Sequence, residues 1–228
     1  MVGIQEISIK MTEYLLQHLQ ELGMNYTLLW GKDTPILYRA DKFELVDSEF
    51  LVYPEEFPGY EGSFNNSMKS YCIGVFRVKE NGKLFIYAST HLWWKGDGTQ
   101  PGSSLARAYQ MGMLIDKLDE LQGKYRCPAF LVGDLNAGYN TPALQTAFSR
   151  GFLHTHDIAV EYKDETNGHH PCGNGGYQGY DPKPFVNGID HILVREGTEG
   201  MVRRFDRYYP DYYMPLSDHF PAFVDIEI

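Results

Sequence analysis

Short clusters of polar residues stand at the ends of the β-rich segments, and this placement constrains the fold more than any other feature. Each of five such clusters contains at least one acidic, amide or imidazole side chain: Gln5-Glu6, Ser89-Thr90-His91, Gly133-Asp134-Leu135-Asn136, Ile189-Asp190-His191-Ile192 and Ser217-Asp218-His219. Because strand ends meet at the rim of a layered β-structure, these side chains are expected to converge on one rim. Such a rim is what a metal-assisted hydrolase requires.

Local sequence patterns predict the elements that hold these clusters. The β-rich runs predict strands over residues 2–5, 36–39, 71–78, 84–90, 129–133, 189–194 and 222–226. The turn Glu80-Asn81-Gly82 joins two of these runs and predicts an antiparallel hairpin. Apolar residues at helical spacing predict helices over 12–21 and 104–122.

Residues with known capping preferences set the expected helix boundaries. Thr12 is the expected N-cap of the first helix, and Gly23 ends it. Ser103 or Ser104 is the expected N-cap of the second, and Gly123 ends that one. A third, shorter helix is expected to begin after Thr141-Pro142, since proline suits the first helical turn.

Strands interspersed with a few covering helices predict one domain over residues 1–228, built as a layered α/β sandwich. Residues 161–187 follow neither a strand nor a helix period and are rich in glycine, histidine, tyrosine and proline. This segment is therefore predicted to be a long functional loop.

Charge and cysteine content exclude several classes of protein. The formal charge of -10 makes tight non-specific binding to long DNA unfavourable. Cys72, Cys127 and Cys172 form no paired motif, which favours a reducing, cytoplasmic compartment. No apolar stretch reaches the roughly 20 residues of a membrane-spanning helix, so no membrane span is expected.

A hard cation such as Mg²⁺, or Mn²⁺ in its place, binds through carboxylate oxygens and keeps several waters. One or two carboxylates and a substrate phosphate are enough to hold it. Glu6 and Asp218 are the candidate metal ligands.

Phosphoester hydrolysis also needs an oriented water and donors on the phosphoryl oxygens. Asp134 and Asn136 are the candidates for orienting the water, and His91 and His219 for donating to the phosphate. Asp190 is suited to hold the His219 tautomer and to favour its imidazolium form.

The order Gln-Glu, Thr-His, Gly-Asp-Leu-Asn, Ile-Asp-His-Ile, Ser-Asp-His-Phe-Pro, from Gln5 to Pro221, resembles the motifs of the endonuclease/exonuclease/phosphatase superfamily, which includes deoxyribonuclease I. The resemblance implies a four-layered α/β sandwich with two mainly antiparallel sheets flanked by helices. It implies metal binding by Glu6 and a metal or phosphate role for Asp218. It also implies catalytic roles for the remaining candidates, which are His91, Asp134, Asn136, Asp190 and His219.

One departure from the family pattern carries its own expectation. The family's first strand bears an asparagine several tens of residues before the Gln-Glu motif, whereas this chain begins four residues before Gln5. On this resemblance the N-terminal strand is missing and the chain is N-terminally truncated. The edge left beside the last strand, residues 222–228, is then expected to cause self-association or poor activity.

Other polar and aromatic residues have simpler interpretations. Asp33 is interpreted as a loop carboxylate rather than as a partner of His91, and Arg107 and Gln110 as the polar face of their helix. Trp93 and Trp94 either stack on a substrate ring or pack beneath the rim, and the sequence favours neither. A zinc site is not favoured for the remaining histidines and cysteine, because their spacing matches no standard site: His154, His156, His169, His170 and Cys172.

The sequence thus predicts a metal-dependent hydrolase of phosphodiesters or phosphomonoesters, acting on a small molecule or a single-stranded nucleic acid. A nuclease or deadenylase-like exonuclease is the first alternative, supported by a basic rim of Lys95, Arg107, Lys163 and Lys183. The second is a catalytically inactive relative that binds a partner through the same rim.

Overall fold

The computed structural model describes residues 1–60, 62–164, 188–208, 217 and 219–228, with the backbone alone for 162–164. Asp218 and most of the predicted long loop lie outside the described residues. The strands are β1 Val2–Gly3, β2 Tyr26–Leu29, β3 Ile36–Arg39, β4 Phe43–Val52, β5 Ser70–Val78, β6 Leu84–His91, β7 Ala129–Asp134, β8 Leu153–His154, β9 Glu161–Asp164, β10 Asp190–Arg195, β11 Val202–Arg207 and β12 Ala222–Ile226. The helices are α1 Ile9–Glu21, α2 Ser103–Tyr125, α3 Pro142–Ser149 and α4 Thr155–Ile158.

A six-stranded sheet in the order β4-β5-β6-β7-β10-β8 forms the centre of the fold. The predicted hairpin pairs β5 with β6, whereas β6 and β7 run parallel. In this register His91 lies opposite Asp134, and Asp134 lies opposite Asp190 on the antiparallel β10. Three of the sequence clusters therefore meet at one end of three adjacent strands.

Each face of this sheet buries an apolar layer. On one face α2 and α3 cover β5, β6 and β7 through residues such as Leu114, Ile115 and Leu144. The other face packs against two three-stranded sheets, of order β1-β3-β2 and β12-β11-β9. The fold is a mixed α/β sandwich, as the sequence predicted.

The second layer differs from the expected single sheet. Within the described chain, β1 and β12 are edge strands of separate sheets and are not paired with each other. They instead flank a cleft of about 700 Å³ whose floor includes Phe85, Phe130 and Val132. The layer is divided because the apolar floor between these two edges carries no strand among the described residues.

Helix boundaries differ from the sequence expectation at the caps. The N-cap of α1 is Ser8, whose hydroxyl accepts a hydrogen bond from the Met11 amide, so the helix begins before Thr12. Gly102, in a left-handed conformation, stands at the N-cap of α2 in place of Ser103 or Ser104. Glycine tolerates that conformation without strain, which explains the earlier start. Among the described helices, none is both long and apolar enough to cross a membrane.

Candidate active site

Gly133 sets the close approach of β6 and β7 directly before the site. Its φ of 145° is a conformation that side chains rarely adopt, and a Cβ there would lie 1.9 Å from the Thr90 carbonyl oxygen. Only glycine fits this position, because an added methyl group would collide with the backbone rather than with a movable side chain. Asp134 is thereby held beside His91.

Asp134 and Asn136 form one rigid turn after β7. The Asp134 carboxylate accepts a hydrogen bond of 2.8 Å from the Asn136 amide, and the Asn136 side chain donates to the Leu92 carbonyl at 3.1 Å. Asn136 has a φ of 48°, a left-handed conformation that asparagine tolerates better than most residues. The turn therefore fixes both side chains by backbone contacts.

His91 lies between two carboxylates at the end of β6. Its Nδ1 is 2.7 Å from Asp33 Oδ2, and its Nε2 is 3.3 Å from Asp134 Oδ2. Burial acts to lower the pKa of His91, but the hydrogen bonds to Asp134 and Asp33 outweigh it and raise the pKa. Burial likewise opposes ionisation of Asp134, yet the bonded His91 lowers the pKa of this carboxyl. The arrangement favours an imidazolium between carboxylates.

Asp190 and His219 form a second pair, as the sequence predicted. His219 Nδ1 lies 2.7 Å from Asp190 Oδ2, and Arg207 donates to the Asp190 carbonyl at 2.9 Å. Burial and the charge of Asp134 raise the pKa of Asp190, although the hydrogen bond from His219 acts to lower it. The pair orients the imidazole, since one ring nitrogen is committed to the carboxylate.

A candidate metal position lies among the described residues at the ends of β7 and β10. Asp134, Asp190 and His219 each offer a ligand atom, and these atoms lie within 4.8 Å of one another. Glu6 lines the same cleft, with its carboxylate 3.8 Å from His91 Nε2. Asp218, the other predicted ligand, lies outside the described residues. Two carboxylates and an imidazole, with a third carboxylate nearby, suit a divalent cation.

Two further residues belong to this site, and sequence reasoning set one aside and missed the other. Asp33 is not an ordinary loop carboxylate, because its side chain is buried and bonded to His91. Lys69, directly before β5, is also buried and places its Nζ 3.1 Å from His91 Nδ1. Since β5 and β6 are antiparallel, the start of β5 lies beside the end of β6, and this pairing was the available signal for Lys69.

Arg107 and Gln110 do not form an exposed polar helix face. Arg107 is 7% exposed and donates to the carbonyls of Trp93 and Lys95, so it does not contribute to a basic rim. Gln110 accepts from the Trp93 amide at 2.8 Å. Trp93 is buried beneath the rim, whereas Trp94 is 59% exposed. The two tryptophans thus have different environments.

Two of the histidines considered for zinc, His154 and His156, form a buried hydrogen-bonded chain with His191. His154 Nε2 lies 3.0 Å from His191 Nδ1, and His156 donates its backbone amide to His154 Nδ1 at 3.1 Å. Among the described residues, the grouping of potential metal ligands is the one around Asp134, and it does not include them. His169, His170 and Cys172 lie outside the described residues, as does Lys183.

Solved structures with similar folds cover almost all of this chain. An endonuclease/exonuclease/phosphatase of Bacteroides vulgatus is 23% identical with a TM-score of 0.73, covering 100% of this chain and 84% of that one. A mannosyl-6-phosphatase of Bacteroides thetaiotaomicron VPI-5482 is 22% identical with a TM-score of 0.72, covering 99% and 84%. The human Nocturnin catalytic domain with bound sulfate is 15% identical with a TM-score of 0.62, covering 98% and 80%.

These identities are low enough that the structures establish the fold alone. No curated protein matches this sequence. The sequence profile of the Endonuclease/Exonuclease/phosphatase family matches residues 2–219, which is most of the chain. The chain therefore belongs to the Endonuclease/Exonuclease/phosphatase family.

Proposed function

We propose that this protein is a divalent-metal-dependent phosphoesterase that hydrolyses a phosphodiester or phosphomonoester by attack of an oriented water. The supporting observation is the convergence of Asp134, Asp190 and His219, whose ligand atoms lie within 4.8 Å of one another beside the His91–Asp33 pair. Carboxylates suited to a cation and imidazoles suited to a phosphate stand next to each other. This combination supports hydrolysis better than partner binding by an inactive relative.

Asp134 and Asp190, with Glu6 nearby, would hold Mg²⁺ or Mn²⁺ through hard oxygen ligands. Such a cation supplies Lewis-acid polarisation of a phosphoryl oxygen. Asp218 remains a proposed ligand, because the family resemblance implies a metal or phosphate role for it.

The other residues act on the water and the phosphate. The pKa of Asp134 is lowered, so at neutral pH the carboxylate is an acceptor that can orient a water O–H. The side-chain nitrogen Nδ2 of Asn136 donates to the Leu92 carbonyl, so a contact of this side chain to water would use Oδ1. The Asp190-bound His219 would donate to a phosphoryl oxygen as negative charge develops. The two ring nitrogens of His91 face Asp33 and Asp134, so His91 would act on the phosphate through its positive charge.

The charge distribution favours a small substrate over a nucleic acid. The formal charge is -10, and Arg107 is buried among backbone carbonyls rather than standing on a basic rim. This weakens the nuclease alternative, which depends on phosphate contacts along a polymer. One fold neighbour is by its name a mannosyl-6-phosphatase, which makes phosphorylated sugars part of the panel to be assayed. A cytoplasmic location stays a prediction.

Hydrolysis assays on the full chain test this proposal. We expect turnover of p-nitrophenyl phosphate or bis-p-nitrophenyl phosphate with Mg²⁺ or Mn²⁺, and loss of turnover with EDTA. Mannose 6-phosphate and a short single-stranded oligonucleotide extend the panel. The relative rates then distinguish phosphomonoesterase, phosphodiesterase and nuclease activity. Absence of metal-dependent turnover with every substrate would favour the inactive binding relative.

Self-association is the second part of the proposal. The edges of β1 and β12 flank an apolar cleft, and Val2 at its margin is 41% exposed. Unpaired strand edges beside apolar surface pair readily with other chains. We expect light scattering to show a mass that rises with concentration, and Val2→Lys to reduce that rise. Leu105→Lys, on the exposed face of α2, is the matched control; a concentration-independent monomer would contradict the proposal.

A further inference from the structure

Trp94 is an exposed aromatic residue that the proposed mechanism does not use. It is 59% exposed, although the two residues before it, Leu92 and Trp93, are only 0% and 3% exposed. Trp94 lies three residues after His91, so their Cα atoms are at most about 11 Å apart. A sugar or a nucleoside attached to a phosphate beside His91 is long enough to reach across this distance.

The chain segment that carries Trp94 is anchored to the turn of Asp134 and Asn136. The Leu92 amide donates to the Asp134 carbonyl at 3.0 Å, and the Leu92 carbonyl accepts from Asn136 Nδ2 at 3.1 Å. The path of the chain after β6 is therefore set by the same turn that carries two residues of the proposed site.

Helix α2 fixes the same segment. Gln110 Oε1 accepts the Trp93 amide at 2.8 Å, and Arg107 donates to the carbonyls of Trp93 and Lys95 at 3.2 and 2.6 Å. Because these two carbonyls precede and follow Trp94 in the chain, its backbone is held on both sides. A residue held in this way loses little conformational entropy when it contacts a ligand.

The indole ring of Trp94 is oriented by two neighbours. Its centroid lies 6.3 Å from the ring centroid of Trp93, and Lys95 Nζ lies 5.4 Å from it, which is within the range of a cation–π contact. Trp93 is itself fixed, because its Nε1 donates to Ser103 Oγ at 3.2 Å. A large aromatic ring that is oriented and yet more than half exposed is suited to stack on a ligand.

We propose that Trp94 is a specificity-determining residue of this site, which stacks on a ring in the organic group of the phosphoester substrate. The ring is a nucleobase or a sugar, since each of these presents a flat face to an indole. The inference rests on the proposed phosphoesterase function and adds to it the class of substrate.

Steady-state kinetics of Trp94→Leu with three phosphomonoesters in Mg²⁺ test this inference. Leucine keeps apolar bulk but removes the flat ring. The KM for AMP or for mannose 6-phosphate is expected to rise about 10-fold. The kcat should change little, because stacking far from the reacting bond acts equally on the bound substrate and on the transition state. Glycerol 3-phosphate has no ring and should keep the wild-type KM; the larger of the other two changes identifies the ring.

Two further variants serve as controls. Trp94→Phe keeps a flat ring and is expected to restore most of the affinity. Trp30→Leu also removes an exposed tryptophan, but Trp30 packs against Phe50 of β4, which β5 separates from β6. This variant is expected to leave all three KM values unchanged. Circular dichroism and the Tm check that each variant folds.

Calorimetric titration gives a readout that does not require turnover. It is carried out with Mg²⁺ on the Asp134→Asn variant, in which hydrolysis is expected to be slow. Adding Trp94→Leu to this variant is expected to raise the Kd of AMP or of mannose 6-phosphate about 10-fold. The Kd of glycerol 3-phosphate should stay the same.

The outcomes separate this inference from the proposed function. Equal changes for ring-containing and acyclic ligands in Trp94→Leu, or no change for any of the three, overturn the inference even when the wild-type enzyme is active. Absence of measurable binding of both ring-containing ligands also overturns it. A chain that binds them through Trp94 but hydrolyses no substrate contradicts the function alone.

Discussion

Asp134→Asn is expected to lower kcat/KM by roughly 10³- to 10⁴-fold, because three features of the site depend on this carboxylate. Its ligand atom lies within 4.8 Å of those of Asp190 and His219. It faces His91 Nε2 at 3.3 Å and accepts the Asn136 amide at 2.8 Å. Asparagine keeps the shape but removes the charge, so His91 would lose an anionic contact, as would the cation and the water of the proposed mechanism.

Initial rates with p-nitrophenyl substrates over a range of Mg²⁺ concentrations measure this effect. A rise in the Mg²⁺ concentration needed for half-maximal rate would place Asp134 among the metal ligands, whereas a lower kcat at saturating Mg²⁺ would indicate water orientation. Asp116→Asn, with a side chain 71% exposed on α2, is the matched control and is expected to leave the rate unchanged. A rate above one tenth of wild type in Asp134→Asn would contradict the role proposed here.

The convergence of strand ends on one rim was predictable, because the polar clusters in the sequence and the pairing of the strands both indicate the same end of the sheet. His91, Asp134 and Asp190 each stand at an end of a β-rich run, and the pairing of β6, β7 and β10 brings them opposite one another. The pair of Asp190 and His219 was likewise predicted from residue type alone. For these residues, the type of side chain and its position at a strand end both indicated the same site.

Residues whose placement depends on tertiary burial were harder to predict. Asp33 has the sequence surroundings of a turn, but it is buried in the connection between β2 and β3. The Asp33 carbonyl accepts a hydrogen bond of 3.1 Å from the Glu6 backbone amide. Lys69 stands at the start rather than the end of a strand. Only the antiparallel pairing of β5 with β6 places it at the rim. A rule that considers strand ends alone excludes such a residue.

The sequence did not predict five of the described strands, β2, β4, β8, β9 and β11. Two of them, β4 and β11, were missed for different physical reasons. β4 has a register shift between Leu45 and Asp47, which interrupts the alternation of apolar and polar residues. β11 is rich in charge, yet Asp206 and Arg207 are each 1% exposed, so the sequence resembles a surface segment although the strand is buried. Periodicity cannot identify a strand whose buried positions are charged.

The buried chain of histidines beside the turn of Asp134 and Asn136 is expected to make the fold sensitive to acid. His191 Nε2 lies 2.7 Å from the Ala137 carbonyl, so it donates, and its Nδ1 can then accept from His154 Nε2. His154 Nδ1 in turn accepts the His156 amide. Both rings are therefore neutral in the folded protein, since an added proton would set two N–H donors against each other.

Burial lowers the pKa of His191 to about 4 and the pKa of His154 well below its ordinary value. The unfolded chain takes up these protons near pH 6.5. The contribution of the two neutral rings to stability is therefore fully present above that pH and decreases as the pH falls towards 4. Across this window, each such histidine lowers the free energy of unfolding by about 1.4 kcal/mol per pH unit.

Urea unfolding at a series of pH values between 7.5 and 4.5, in EDTA, tests this expectation. His154→Gln keeps a donor towards His191 but removes one titrating ring. The decrease in unfolding free energy from pH 6.5 to 5 should then be smaller than in wild type by about 2 kcal/mol. His18→Gln, with a side chain 68% exposed on α1, should follow wild type. Parallel pH curves for wild type and His154→Gln would show that the buried pair is not the source of acid sensitivity.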